Sequence, residues 1–176
     1  MELIPLYSNE VITKRIEEIS KIIKQDPVFS QENFLCVCVL KGAYMFFSEI
    51  TKRLGDNIEC AFIRLSSYGD KLISDGQVTQ IGELVETVKN KNVLIVEDII
   101  DSGHTLSYLV NLLAYKGAAI IRTVALIDKP ESRKTAIKAD FTAFTIQNDS
   151  FIVGFGLDYK EKYRNLDSLY KLCTLN

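Results

Sequence analysis

Val93-Leu94-Ile95-Val96-Glu97-Asp98-Ile99-Ile100-Asp101-Ser102-Gly103-His104-Thr105 decides how the rest of the chain is read. Val93 to Val96 is an apolar run, short enough for a strand buried on both faces. Two adjacent carboxylates, Glu97 and Asp98, end that run. A small loop from Asp101 to Thr105 then carries one glycine and two hydroxyl residues. Beyond it, Leu106, Leu109, Val110 and Leu113 share one helical face, and Gly117 is a stop signal. Strand, loop and helix in this order form the unit at which open α/β sheets bind their ligands.

The loop can be read chemically. Backbone N–H groups at a helix N-terminus, with Ser102, Thr105 and a permissive Gly103, suit a phosphate. Glu97, Asp98 and Asp101 beside them would repel a bare phosphate. A phosphosugar resolves the conflict: the loop takes the phosphate, and the carboxylates accept from sugar hydroxyls or act through Mg²⁺. The same spacing also fits an acidic strand end followed by a helix cap. Neither G-x-x-x-x-G-K-[ST] nor a helix-opening G-x-G-x-x-G occurs.

Composition narrows the classes. The chain has 176 residues, 47% of them apolar, enough for one domain with a sizeable core. A net charge of −2 without a Lys/Arg block argues against a nucleic-acid or membrane surface. No apolar run approaches the ~20 residues of a membrane span. Met1 to Asn9 lacks a basic region followed by an apolar one, so no signal peptide is expected. The four cysteines lack metal spacing. Cys36, Cys38 and Cys60 read as small core residues and Cys173 lies in the tail, which fits a reducing cytoplasm. The single histidine is His104, so no His-dependent triad exists without it.

Elsewhere, helices and strands alternate. Ile12, Ile16, Ile19 and Ile23 predict a helix over residues 9–24, capped by Ser8 or Asn9. Phe34 to Leu40 predicts a strand running into Lys41-Gly42, then a helix from about Ala43 to Leu54. Lys41 beside a glycine either meets an anion or is simply solvated. Ile58 to Leu65 predicts a third strand, followed by a polar stretch, Ser66 to Gly76, that is either a solvated hairpin loop or a lid. Gln77 to Ile81 reads as a returning strand and Glu83 to Lys89 as a short turn or helix. Ile120 to Ile127 is the next strand. Lys129, just before Pro130, sits in an extended turn, where a loop lysine normally faces solvent. Asp140 to Ile146 and Phe151 to Phe155 supply two more apolar runs, in which Phe151 fits a core position. The alternation predicts an α/β fold with a largely parallel sheet flanked by helices.

Glu97-Asp98-Ile99-Ile100-Asp101-Ser102-Gly103-His104-Thr105 resembles the phosphoribosyl-pyrophosphate (PRPP) motif of the type I phosphoribosyltransferases. The form Val-Glu-Asp-Ile-Ile-Asp is most similar to their 6-oxopurine branch. Leu40-Lys41-Gly42 resembles the family's pyrophosphate loop, which can carry a non-proline cis peptide. Arg64 to Tyr68 resembles the segment before the mobile lid, with Ser67-Tyr68 closing over the reacting centre. Lys129 aligns with the lysine that donates to the purine 6-oxo group. Phe151 to Tyr159 resembles the purine-binding segment. The resemblance covers about residues 34–165.

What the resemblance implies is specific. The fold would be the type I phosphoribosyltransferase fold, a mostly parallel twisted sheet with a small hood subdomain. Residues 1–176 would form a single domain, with a core over about 34–146 and a hood from the N-terminal segment and about 147–176. The reaction would be Mg²⁺-dependent transfer of the 5-phosphoribosyl group from PRPP to hypoxanthine or guanine. Glu97 and Asp98 would hold the ribose hydroxyls, and Asp101, Ser102, Gly103, His104 and Thr105 the 5′-phosphate. Leu40, Lys41, Gly42 and Arg164 would meet pyrophosphate. Lys129, Phe151, Ile152 and Asp158 would bind the purine, and Glu97, Asp98 and Asp158 the metal. Asp101 would be the base for the purine N7 proton.

Some positions depart from the family pattern: His104 stands where a lysine often sits, Ser150 where some members carry a lysine, and Gly69-Asp70 makes a compact start to the lid. Other readings stay open. One is a PRPP-fold regulator without catalysis, although such a protein would need a basic nucleic-acid face. Another is a xanthine-preferring sibling enzyme. Exposed apolar surface on the first helices would suit a homodimer or homotetramer.

Overall fold

Apolar runs without alternation need cover on both faces, and here they obtain it by lying side by side between two helical layers. The structure is a computed structural model that describes residues 1–29, 34–67, 78–81, 84, 86–147 and 150–173. In chain order the elements are β1 (Glu2–Tyr7), α1 (Asn9–Gln25), β2 (Phe34–Leu40), α2 (Tyr44–Leu54), β3 (Glu59–Ser67) and β4 (Val78–Ile81). Then follow β5 (Asn92–Ile100), α3 (His104–Tyr115), β6 (Ile120–Asp128), β7 (Phe141–Thr145), β8 (Ile152–Val153) and β9 (Leu169–Cys173).

The main sheet has the order β4-β3-β2-β5-β6-β7. The strands from β3 to β7 run parallel, and β4 returns antiparallel at one edge. This is the largely parallel sheet that the sequence led us to expect. β5 occupies the middle, paired to β2 on one side and β6 on the other. Leu94 and Val96 face Cys36, Cys38 and the isoleucines of α1, whereas Val93 and Ile95 face Leu106, Leu109 and Leu113 of α3. Ile12, Ile16, Ile19 and Ile23 are all buried. Each contributes about 1.5–3 kcal/mol of apolar burial, so this stripe holds α1 against the sheet.

The helix ends follow from local chemistry. The Ser8 hydroxyl accepts from Val11 N–H at 3.4 Å and caps α1. Gly117, at φ +86°, closes α3, with Ala118 N–H donating to Leu113 C=O at 3.0 Å. No helix among the described residues is long and apolar enough to cross a membrane.

A second, three-stranded antiparallel sheet, β1-β9-β8, joins the first described strand to the last. Asn9 ties it to α1, its backbone N–H donating to Ser168 Oγ at 3.1 Å and its side chain to Asp167 C=O at 2.9 Å.

Three expectations change. β5 does not stop at the carboxylates but runs on to Ile100, because β6 continues beside it and pairs Ile99 with Ile127 and Ile100 with Asp128. Since α3 begins at His104, the loop shrinks to Asp101–Gly103. Cys60 is exposed rather than core. It pairs with Cys36, but β3 lies next to the sheet edge where helical cover runs out. Phe62, two residues on, is likewise about half exposed although its ring lies 5.3 Å from Phe47 of α2. The described part of 83–89 forms a bend leading into a turn at Lys89–Asn90 and contains no helix.

Candidate active site

The carboxyl ends of β2 and β5, the start of α3 and the loop after β8 meet around an open cleft of about 400 Å³. Lys41, Gly42, Glu97, Asp98, Thr105, Asp158 and Arg164 all line it. Residues spread over most of the sequence thus converge where a parallel sheet offers its strand ends.

The β2 end is shaped by two glycines. The Leu40–Lys41 peptide is cis. Gly42 lies so close to Asp98 that a β-carbon on it would sit 1.5 Å from Oδ2. Gly156, at φ +100°, leaves room for the Gly42 carbonyl, which would lie 2.0 Å from a β-carbon there. Only glycine allows the loop after β2 to be sandwiched between the acidic strand end and the loop above it.

Within the acidic pair Glu97 is buried and Asp98 is half-buried. Glu97 is 5% exposed, and its Oε2 has no hydrogen-bond partner. Its Oε1 accepts from Asp98 N–H at 3.2 Å, and Asp98 Oδ1 accepts from Ile99 N–H at 2.8 Å. Burial, then the neighbouring Asp98 charge, pushes Glu97 well above the usual carboxylate range. Burial also raises Asp98, opposed by its hydrogen bonds and by the Arg164 charge. A buried acceptor without a donor suits a ligand hydroxyl.

Cations face these acids from the other wall. Arg164 donates from Nη1 to Gly156 C=O at 2.9 Å and pairs through Nη2 with Asp158 at 2.7 Å. Its Nε is buried without a hydrogen-bond partner. Lys41 Nζ and Arg164 Nη2 both reach Glu161 Oε2, at 3.0 and 3.4 Å. Tyr44 Oη donates to Arg164 C=O at 3.2 Å.

The loop between β5 and α3 turns at Gly103, φ +85°. Asp101 is exposed, and its backbone carbonyl accepts from Arg133 Nε at 3.0 Å. Ser102, Gly103 and His104 flank the cleft's Thr105 in sequence but are not part of its lining. Lys129, Phe151 and Ile152 also lie outside it. Lys129 is buried, not solvated, and its N–H donates to Ile100 C=O at 3.0 Å. Phe151 is half exposed, not core, and meets Tyr159 edge to face at 5.5 Å. Ile152 is buried in β8. Ser67 ends β3, and Tyr68 lies outside the described residues.

Glu97, Asp98 and Asp158 line one cleft, yet no cluster of three metal-binding side chains forms among the described residues. Asp158 is committed to Arg164 and to the Glu161 N–H, 2.8 Å from its Oδ2. The acidic donors fit Mg²⁺ in its usual manner, held by one or two carboxylates together with substrate phosphates and water. Sequence reasoning missed Glu161, Tyr44 and Arg133. Glu161 was visible only as a charge between two assigned residues, and nothing in the local pattern set Tyr44 or Arg133 apart.

The phosphoribosyl transferase domain family matches residues 5–160. The chain is 45% identical over 162 residues to the hypoxanthine-guanine phosphoribosyltransferase of Bacillus subtilis, covering 92% of this chain and 88% of that protein. It is 41% identical to the enzyme of the same name from Streptococcus thermophilus, with the same shares covered. A crystal structure of a hypoxanthine-guanine phosphoribosyltransferase from Bacillus anthracis superposes with a TM-score of 0.89 at 34% identity, covering 96% of this chain and 98% of that one. A strand-end cleft with an acidic pair, two facing cations and a helix-opening loop is the architecture of a phosphosugar transferase. The chain belongs to the phosphoribosyltransferase family.

Proposed function

We propose that this phosphoribosyltransferase serves purine salvage, converting PRPP and hypoxanthine or guanine to IMP or GMP and pyrophosphate. The observation that carries the reading is the meeting of the Glu97–Asp98 pair with Lys41 and Arg164 in one cleft. Acids for a sugar and cations for a diphosphate are what PRPP requires, and the relatives' names supply the purine.

In this reading Glu97 and Asp98 accept from the ribose hydroxyls, and the unpartnered Glu97 Oε2 is one acceptor. The loop Asp101–Thr105 holds the 5′-phosphate through backbone N–H groups and hydroxyls. Lys41, on the Leu40-Lys41-Gly42 loop, and Arg164 hold the pyrophosphate. The unpartnered Arg164 Nε is a ready donor. Asp101 accepts the purine N7 proton as the bond from nitrogen to the ribose carbon forms. Lys129 donates to the 6-oxo group, Phe151 stacks on the ring and the Ile152 backbone meets its edge. Asp158 orients Arg164 and faces the pyrophosphate end. Ser67 and Tyr68 close the centre against water, which would otherwise capture the cationic ribose. Glu97, Asp98 and Asp158 would hold Mg²⁺ together with substrate oxygens, and the ion would supply charge neutralisation for the leaving pyrophosphate.

The reading extends to a cytoplasmic enzyme that assembles as a homodimer or homotetramer. Free buried thiols at Cys36 and Cys38 suit a reducing compartment. Val11 and Ile22 of α1, each about half exposed, supply apolar surface for self-association.

Initial rates with PRPP and Mg²⁺ against hypoxanthine, guanine, xanthine and adenine test this directly. Turnover with hypoxanthine or guanine, lost without Mg²⁺ and negligible with adenine, is expected. Turnover confined to xanthine would move the assignment to a sibling enzyme. Tight PRPP binding without turnover of any purine would leave a PRPP-binding regulator.

A further inference from the structure

We propose that Arg133 positions the 5′-phosphate loop and couples it to the purine-side segment, an inference that rests on the function proposed above. Arg133 follows the 3₁₀ turn Pro130–Ser132, and its side chain is only 11% exposed. Its guanidinium reaches several acceptors at once. Nε donates to Asp101 C=O at 3.0 Å and Nη2 to Ile100 C=O at 3.3 Å. Nη1 donates to Ile137 C=O, and Nη2 pairs with Asp128 Oδ1 at the end of β6.

The same segment takes the next carbonyl as well. Ser102 C=O accepts from Lys134 N–H at 2.9 Å and from Thr135 Oγ1 at 3.4 Å. Three consecutive carbonyls, Ile100, Asp101 and Ser102, therefore all point into residues 129–135. In a trans peptide the N–H points opposite to the C=O. The N–H groups of Asp101, Ser102 and Gly103 are thus turned away from Arg133. The phosphate is placed on that side, and Arg133 acts on it only through the loop.

Gly103 shows how tight the packing is. A β-carbon there would meet Thr135 Oγ1 at 2.3 Å and Arg133 Cδ at 2.8 Å. The aliphatic stem of Arg133 covers the loop's turning point while its fork holds the carbonyls. Lys129 starts the same segment and also donates to Ile100 C=O, at 3.0 Å. A movement of the purine-side segment is therefore transmitted to the phosphate loop through shared carbonyls. Lysine cannot replace this arrangement, because one ammonium cannot reproduce a planar fork with several fixed donors.

The test compares two ligands on the full-length protein. Arg133→Lys keeps the charge and removes the fork. Ribose 5-phosphate binding is expected to weaken about tenfold, since misplaced contacts of this kind cost one to two orders of magnitude. Binding of Mg²⁺-pyrophosphate, at the Lys41–Arg164 end, stays within about twofold. Unchanged ribose 5-phosphate affinity in a folded variant overturns the inference. So does an equal loss of both ligands, which is what a merely structural residue would give. Thr135→Val removes one hydrogen bond at nearly constant shape and should weaken ribose 5-phosphate by about threefold. If Arg133→Lys does not fold, unchanged binding in Thr135→Val overturns the proposal. Wild-type protein that binds no ribose 5-phosphate would overturn the proposed function, and this inference with it.

Discussion

Asp98 occupies the space in which any side chain on Gly42 would have to stand: its Oδ2 lies 1.5 Å from the position of a Gly42 β-carbon. The loop after β2 and the acidic strand end are thereby locked together by the absence of one methyl group. In Gly42→Ala the Asp98 carboxylate must swing away, while the core beneath it is untouched. Turnover is expected to fall about a hundredfold or more, with a small change in melting temperature. A variant with wild-type rates would show that the cleft does not need this contact.

Burial, and then the neighbouring Asp98 charge, raise the folded-state pKa of Glu97 above its ordinary value of 4.5. The sign follows from linkage: its contribution to stability is present below the ordinary carboxylate pKa and is lost as pH rises through the raised one. Glu97→Gln removes that loss. Its melting temperature should exceed the wild type's by about 2–4 °C in alkaline buffer, corresponding to roughly 1 kcal/mol. The difference should shrink to nothing near pH 4, about the ordinary carboxylate range. Thermal melts across pH check this, and a constant difference would contradict it.

Asp101 presents its side chain to solvent while its backbone carbonyl is held by Arg133. Asn at this position preserves the loop and removes the proposed base. Turnover should drop by about 10²-fold or more, the usual worth of a general base, with PRPP affinity retained. Equal turnover in wild type and Asp101→Asn would remove this carboxylate from the mechanism.

Lys129 is buried beside the end of β5. Lys129→Ala should weaken purine binding by about one to two orders of magnitude, the worth of a hydrogen bond from a charged donor. Pyrophosphate binding should hardly change. Calorimetric titration with a 6-oxopurine in the presence of Mg²⁺-pyrophosphate decides it, unchanged purine affinity being the adverse result.

The cysteines divide by burial. The Cys38 thiol is pushed up to about 12, first by burial and then by the charges of Glu97 and Asp98, and burial raises Cys36 as well. Thiolate is the reactive form, so neither should react in the folded protein. Iodoacetamide followed by mass spectrometry should label Cys60 and Cys173 in native protein, and all of the cysteines only in urea. Early labelling of Cys36 would mean that β2 is not sealed.

The strand–loop–helix unit at 93–115 and the apolar stripe of α1 were legible in the chain because each is written at a fixed local period, and the largely parallel sheet followed from the alternation of strands with helices. The acidic pair and the loop that opens α3 were legible for the same reason: a strand end and a helix start lie within a few residues of one another. What local pattern could not state is which long-range neighbour fills each gap. Only the folded chain sets Gly156 over the Gly42 carbonyl, brings Glu161 to both Lys41 and Arg164, and turns the carbonyls of Ile100, Asp101 and Ser102 toward residues 129–135. Burial of Lys129 and exposure of Cys60 and Phe151 were decided in the same way, by where the sheet edge and the second sheet happen to lie. Periodicity fixes which face a residue takes, whereas tertiary packing determines what that face meets.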